Sequence, residues 1–234
     1  MAIKYNYFTP LIMQKISYCL FWPLYKVFAR LKITGRENLI GLRGPVILAS
    51  NHTSELDVTA LPMVLPFFSS LSPIYFISNA TKKYRENKKF GWRRHIYGGL
   101  FFKVLGGFSS NSGFKDYATA LKNHVELLTK GHTLCIFPEG KCTLDGNIGL
   151  ARGGLGYLVH TTRATVVPIA INTFFKFSFK DFLFRKRKIS ITVGKPLQAE
   201  DIVLRGVTNP DVEEYRFMAN TVLNKIKEIM NQKL

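Results

Sequence analysis

The run Pro45-Val46-Ile47-Leu48-Ala49 is apolar and of strand length, and polarity follows it all at once in Ser50-Asn51-His52-Thr53-Ser54-Glu55-Leu56-Asp57. A short run rich in aliphatic and β-branched residues reads as a buried strand. A histidine and an aspartate five positions apart at its end make a general base with an orienting carboxylate. Asp57 would fix the imidazole tautomer of His52 and stabilise the imidazolium once a proton arrives. The same residues carry a plainer reading: Ser54 followed by Asp57 fits a helix N-cap with an acid three positions on, which would leave His52 a loop histidine. A second run, Thr133-Leu134-Cys135-Ile136-Phe137, ends just as abruptly in Pro138-Glu139-Gly140-Lys141. Two strands that both end in polar loops predict one cleft at the carboxyl edge of a sheet.

At these residues the chain resembles the glycerolipid acyltransferase family, the 1-acyl-sn-glycerol-3-phosphate acyltransferase-like proteins. The family's N-H-x-x-x-x-D motif matches Asn51, His52 and Asp57. Its F-P-E-G motif matches Phe137, Pro138, Glu139 and Gly140, and its apolar V-P-[IV] strand matches Val166 to Ile171. Order and spacing fit, and the resemblance covers roughly residues 31 to 195. It implies transfer of a fatty acyl chain from acyl-CoA or acyl carrier protein, as co-substrate, to a lysolipid hydroxyl. Attack on the thioester would be direct, with His52 as base and no cofactor or metal. Glu139 and Gly140 would shape the acceptor pocket. Two positions depart from the pattern. Asn111 stands where the second motif has an arginine, and Cys142 where the third has another. Both changes remove a planar, bidentate phosphate clamp. Lys141 or Arg152 is then the cation expected to meet an acceptor phosphate. An acceptor without that phosphate, such as an amino-lipid, and a catalytically silent lipid-binding relative are the competing readings.

Apolar residues at 47% and charged residues at 21% exclude a disordered chain, and the length suits one domain with a sizeable core. Lys plus Arg outnumber Asp plus Glu by 33 to 15, a net charge of +18, so an anionic partner is expected. The three cysteines, Cys19, Cys135 and Cys142, have neither C-x-x-C spacing nor an even number. They indicate no metal site and suit a reducing compartment. Cys142 has no base near it in sequence and reads as an incidental thiol.

The expected architecture is an α/β domain, a mixed and mostly parallel sheet flanked by helices, behind an amphipathic N-terminal segment. Residues 1–31 form the membrane-associating segment and 32–234 the acyltransferase domain. Over residues 9 to 31, Ile12, Ile16, Leu20, Leu24, Val27, Phe28 and Leu31 recur at helical spacing, and Tyr18, Trp22 and Tyr25 add interfacial rings; this reads as one or two amphipathic helices that lie on a membrane or cap the domain, against a plain core-packing helix. Thr9-Pro10 reads as the helix start, and Pro23 should kink or break the helix. Lys15 and Lys26 argue against a membrane span. The segment from Thr81 to His95 is densely basic, with Lys82, Lys83, Arg85, Lys88, Lys89, Arg93 and Arg94 against Glu86. It is either a solvated face or a patch for anionic lipid or donor phosphates. Phe174 to Phe184 interleaves aromatics with cations and runs into Arg185-Lys186-Arg187-Lys188. Such a surface stacks nucleobases or sits at a bilayer, unless it is a hairpin whose phenylalanines face the core; without an RNA-recognition signature, the membrane reading is preferred and no nucleic-acid partner is expected. Asp116 to Lys130 and the stretch after Asn209-Pro210-Asp211 are predicted helices, and Ile189 to Gly194 a half-buried strand. The glycine-rich stretch from Ile148 to Gly156 lacks nucleotide-loop spacing and is expected to enter a helix by close backbone approach. Membrane association at the cytoplasmic face, peripheral or monotopic, follows.

Overall fold

The computed structural model describes residues 6–78, 85–86, 88–96, 99–110, 116–172 and 174–232. Asn111, and Lys82 and Lys83 of the basic segment, lie outside the described residues.

Seven strands form one sheet: β1 (Lys32–Thr34), β2 (Val46–Ser50), β3 (Ile74–Ser78), β4 (Gly107–Ser109), β5 (Thr133–Ile136), β6 (Thr165–Asn172) and β7 (Ser190–Val193). Their order is β1-β7-β6-β2-β5-β3-β4. All pairs are parallel except β6 with β7. The mixed, mostly parallel sheet expected from the sequence is therefore present. Every residue of the central strand β2 is buried, and its faces alternate. Ile47 and Ala49 pack with one layer of helices: α4 (Tyr117–Thr129), α5 (Gly154–Thr162) and α7 (Val212–Asn231). Val46 and Leu48 face Tyr25 of α1 (Phe8–Val27) and Ala60 of α2 (Asp57–Ala60). A strand covered on both sides needs apolar residues at every position, which is why Val46 to Ala49 is unbroken. Among the described residues, α3 (Gly99–Val104) and α6 (Phe179–Leu183) are further short α-helices.

Two of the longer helices start at side-chain caps. Asp116 accepts the Ala118 and Thr119 N–H groups and starts α4; Gly131, at φ +78°, follows its end. Asp211 and Glu214 make a reciprocal capping box at α7, whose Met218, Val222 and Ile226 are buried. In α5, a Cβ on Gly156 would lie 2.2 Å from the Tyr215 carbonyl oxygen, so α5 and α7 meet backbone to backbone there.

Three local expectations are corrected. Pro23 neither ends nor divides α1, which runs from Phe8 to Val27 through it. The proline stands four residues before the helix end and removes a single intrahelical N–H bond, to the carbonyl of the exposed Cys19. The start of α1 is set earlier than Thr9-Pro10, because Asn6 Oδ1 accepts the N–H groups of Phe8 (3.0 Å) and Thr9 (3.3 Å). Strand β7 is buried at Ser190, Ile191 and Val193, not on alternate residues, because it lies inside the sheet between β1 and β6.

Candidate active site

Strands β2 and β5 are adjacent and parallel, with Leu48 opposite Cys135 and Ala49 opposite Ile136. Their carboxyl ends therefore coincide, and the two motif loops leave the sheet side by side. The loop after β2 is anchored first by Asn51, 1% exposed. Its side-chain oxygen accepts the Ile171 N–H (2.8 Å) and its amide donates to the Ile171 carbonyl (3.0 Å), a strand-like pair with the end of β6.

His52 follows, and its Nδ1–H donates to Asp57 Oδ2 at 2.9 Å. Asp57 is fully buried and saturated by donors. The same Oδ2 takes the Thr53 and Ser54 N–H groups (2.6 and 2.8 Å), and Oδ1 takes the Thr53 hydroxyl (2.9 Å). Ser54 is not the cap of α2, which begins at Asp57 with Leu56 before it and no side-chain cap; the carboxylate instead ties the loop at Thr53 and Ser54 and holds the imidazole. With Nδ1 donating, Nε2 is the ring nitrogen that carries the base function once the ring is neutral.

The F-P-E-G loop closes over this ring. Phe137 stacks on His52 with ring centroids 3.9 Å apart and planes within 12°. Glu139, 5% exposed, accepts the His52 N–H through Oε1 and the Gly149 N–H through Oε2, both at 2.9 Å. Pro138 offers its carbonyl to the Arg152 N–H (2.8 Å), and the Thr143 N–H donates to the His52 carbonyl (2.9 Å). Gly140 holds φ +66°, and a Cβ there would lie 2.8 Å from Arg152 Cδ, so the arginine stem lies across the glycine. Lys141 and Arg152 are both exposed. His52, Asp57, Glu139, Gly140 and Arg152 are brought together; Asn111 lies outside the described residues.

Cys142 is the residue that reading along the sequence misplaced. Its Sγ lies 3.1 Å from His52 Nε2, so the thiol has a base beside it after all. The partner lies 90 residues away in sequence and arrives only through the β2–β5 pairing. Thr53 was also missed: its hydroxyl, besides donating to Asp57, accepts the Phe174 N–H (3.2 Å).

Burial, the largest influence on the His52 imidazole, opposes its charged form. The hydrogen bonds to Asp57 and Cys142 and the charges of those groups together outweigh it and raise the ring from 6.5 to about 9. A value raised by folding adds stability that is complete below 6.5 and is lost as pH climbs through about 9. NMR titration of the His52 ring is expected to give a midpoint near 9, and Cys142→Ala or Asp57→Asn to lower it. A ring titrating at or below 6.5 in the unmodified protein contradicts this balance.

Residues 30–172, more than half of the chain, match the Acyltransferase family. The chain belongs to that family. This acyltransferase is 30% identical over 170 residues to the chloroplastic 1-acyl-sn-glycerol-3-phosphate acyltransferase of Arabidopsis thaliana, covering 72% of this chain and 41% of the relative. It is 28% identical over 205 residues to the 1-acyl-sn-glycerol-3-phosphate acyltransferase of Bacillus subtilis, covering 86% and 88%. Its fold is similar to the crystal structure of the 1-acyl-sn-glycerophosphate acyltransferase from Thermotoga maritima, with a TM-score of 0.59 at 19% identity over 96% of this chain and 81% of that one. The acyltransferase thus spans about two fifths of its chloroplast relative's length and most of the bacterial one's. Among its described residues, no helix is long and apolar enough to cross a membrane.

Proposed function

We propose that this acyltransferase moves a fatty acyl chain from acyl-CoA or acyl carrier protein to the free hydroxyl of a lysophospholipid such as 1-acyl-glycerol-3-phosphate. The observation that carries the reading is the His52–Asp57 pair at 2.9 Å, with the ring stacked on Phe137 and the His52 backbone N–H tied to Glu139. His52 Nε2 takes the acceptor's hydroxyl proton as the oxygen attacks the acyl carbon. Asp57 keeps Nδ1 protonated and stabilises the imidazolium. Much of the rate comes from holding the two substrates at reacting distance. Lys141 and Arg152 meet the acceptor phosphate, with Asn111 as a further acceptor contact. A second reading, an acceptor without a phosphate, draws on Cys142 standing at the family's arginine position.

The membrane surface is the place of reaction. On α1, Phe8, Ile12, Ile16, Leu20 and Val27 are each at least half exposed, a stripe at four- and seven-residue helical spacing. Phe179 and Phe184 are likewise exposed, on the segment whose Phe182 meets Phe28 just past α1, with ring centroids 5.0 Å apart. Rings and aliphatics of this kind enter the lipid interface while the net charge of +18 favours anionic headgroups. The chain then sits peripherally on the cytoplasmic face, consistent with free cysteines.

The test uses the full chain with palmitoyl-CoA or palmitoyl-acyl carrier protein and a panel of lysophosphatidic acid, lysophosphatidylglycerol, a lyso-amino-lipid and monoacylglycerol, read by mass spectrometry. Lysophosphatidic acid is expected to be converted best, and Arg152→Ala to raise its KM without raising that of monoacylglycerol. Absence of product from every acceptor overturns the reading. Ile16→Glu with Leu20→Glu is expected to abolish pelleting with phosphatidylglycerol-containing vesicles; unchanged pelleting removes α1 as the docking surface.

A further inference from the structure

Two leucines stand in solvent beside the candidate site, on a loop tied down along its length. Leu144 is 81% exposed and Leu150 80%, while Ile148 between them turns inward and packs against the core. The Thr143 N–H bonds the His52 carbonyl (2.9 Å), the Gly149 N–H bonds Glu139 Oε2 (2.9 Å) and the Arg152 N–H bonds the Pro138 carbonyl (2.8 Å). Asp145 closes the tip. Its Oδ1 accepts the Thr143 hydroxyl and the Asn147 N–H, and its Oδ2 the Asn147 amide, all at 2.9 Å. The backbone that builds the site therefore also holds both leucines outward.

A seam of rings joins this loop to α1. A Cβ on Gly146 would lie 3.0 Å from Phe175 Cδ1, so the loop rests on that ring. Next to Phe175, Phe174 meets Tyr25 of α1 and Phe177, with centroids 5.6 and 5.7 Å apart, and Phe177 meets Phe182 at 6.2 Å. On the same segment Phe179, Leu183 and Phe184 are 77%, 49% and 66% exposed. Lys141, Lys176, Lys180, Arg185 and Lys186 are exposed among these apolar groups. The acids there are engaged in their own turns: Asp145 as above, and Asp181 Oδ2 with the Ser178 N–H (3.1 Å) and hydroxyl (2.9 Å). Leucines and rings set among cations, with the nearby acids bonded to their own loop, suit an anionic lipid surface.

We propose that Leu144 and Leu150 seat the mouth of the site in the lipid leaflet, so that the lysolipid reaches His52 from the bilayer without passing through water. The inference rests on the acyl transfer to a lysolipid proposed above. Leu144 stands three residues from Lys141, and Leu150 two from Arg152, the cations assigned to the acceptor phosphate. Leucines among the lipid chains and cations at headgroup level match the two ends of such an acceptor. Lifting a long-chain lysolipid into water exposes its whole chain, and a mouth seated in the leaflet removes that step. Attachment and delivery are then separate tasks: α1 holds the protein on the membrane, and the loop from Lys141 to Arg152 opens the site into it.

The experiment assays the full chain with palmitoyl-CoA, and separately palmitoyl-acyl carrier protein, on two acceptors. One is oleoyl-lysophosphatidic acid in phosphatidylcholine vesicles containing phosphatidylglycerol; the other is hexanoyl-lysophosphatidic acid free in solution. Leu144→Ser with Leu150→Ser is expected to lower turnover of the vesicle acceptor by about tenfold or more, the scale of withdrawing two leucine side chains from an apolar phase. Turnover of the soluble acceptor and the urea midpoint should be unchanged, and pelleting with the vesicles, carried by α1, should persist. Leu150→Trp is expected to add emission, beyond that of Trp22 and Trp92, that phosphatidylcholine with brominated chains quenches. Equal losses on both acceptors, no loss on either, lost pelleting, or no quenching of the added emission overturns the seat in the leaflet and leaves the acyl transfer standing. Product from neither acceptor with either donor overturns the acyl transfer. Quenching then decides the rest: its presence keeps the leaflet contact, and its absence removes that as well.

Discussion

His52→Ala is expected to lower acyl transfer by about 10²–10⁴-fold, the usual contribution of a positioned acid–base group. Asp57→Asn should come close to that loss while folding normally, and the hydrogen bonds say why. Oδ2 accepts three N–H donors, from the His52 ring, Thr53 and Ser54. An asparagine oxygen can take the same place. Oδ1 meets only the Thr53 hydroxyl, which can turn to accept from an asparagine amide. The substitution therefore preserves the loop and removes the charge, so it separates orientation of the ring from stabilisation of the imidazolium. Initial rates with palmitoyl-CoA and lysophosphatidic acid, set beside thermal melts, check both variants. His52→Ala retaining a tenth or more of wild-type activity sinks the base assignment.

Glu139 is expected to give the second large effect, and of a different kind. Both carboxylate oxygens are engaged by backbone N–H groups, from His52 and Gly149, at 5% exposure. Glu139→Ala orphans both donors, at roughly 1–3 kcal/mol each, and Glu139→Gln orphans one, because an amide nitrogen cannot accept. Stability in urea should fall in the order wild type, Gln, Ala. Turnover should fall with it, since the backbone that carries the imidazole loses its tie to the F-P-E-G loop. An acceptor contact through the remaining lone pairs would instead raise acceptor KM in both variants at unchanged stability. The two readouts distinguish a staple from a substrate ligand.

The central strands were legible because burial on both faces leaves β2, β5 and β6 as unbroken apolar runs, and the polar loops stand out against them. The His52–Asp57 pair was legible because five residues span it. The Cys142 contact was not: it depends on which strands are neighbours, and a run such as Thr133 to Phe137 carries no mark of its partner. The same holds for the Asn51 tie to Ile171, 120 residues away. Pro23 does not break α1 because its cost depends on how many helical bonds remain beyond it, and near the end of α1 few do.

Helix α1 wears two faces that cannot be parted. Tyr25 is 4% exposed and its hydroxyl meets Thr59 at 2.7 Å, two residues past Asp57, while Gln14 grips the backbone of Ile74 and Leu105. Anyone wishing to rid the protein of its greasy stripe by trimming the front of the chain would unroof the sheet and loosen the helix behind the catalytic carboxylate. A water-loving version has to be made by repainting Phe8, Ile12, Ile16 and Leu20 one at a time, with the helix left in place.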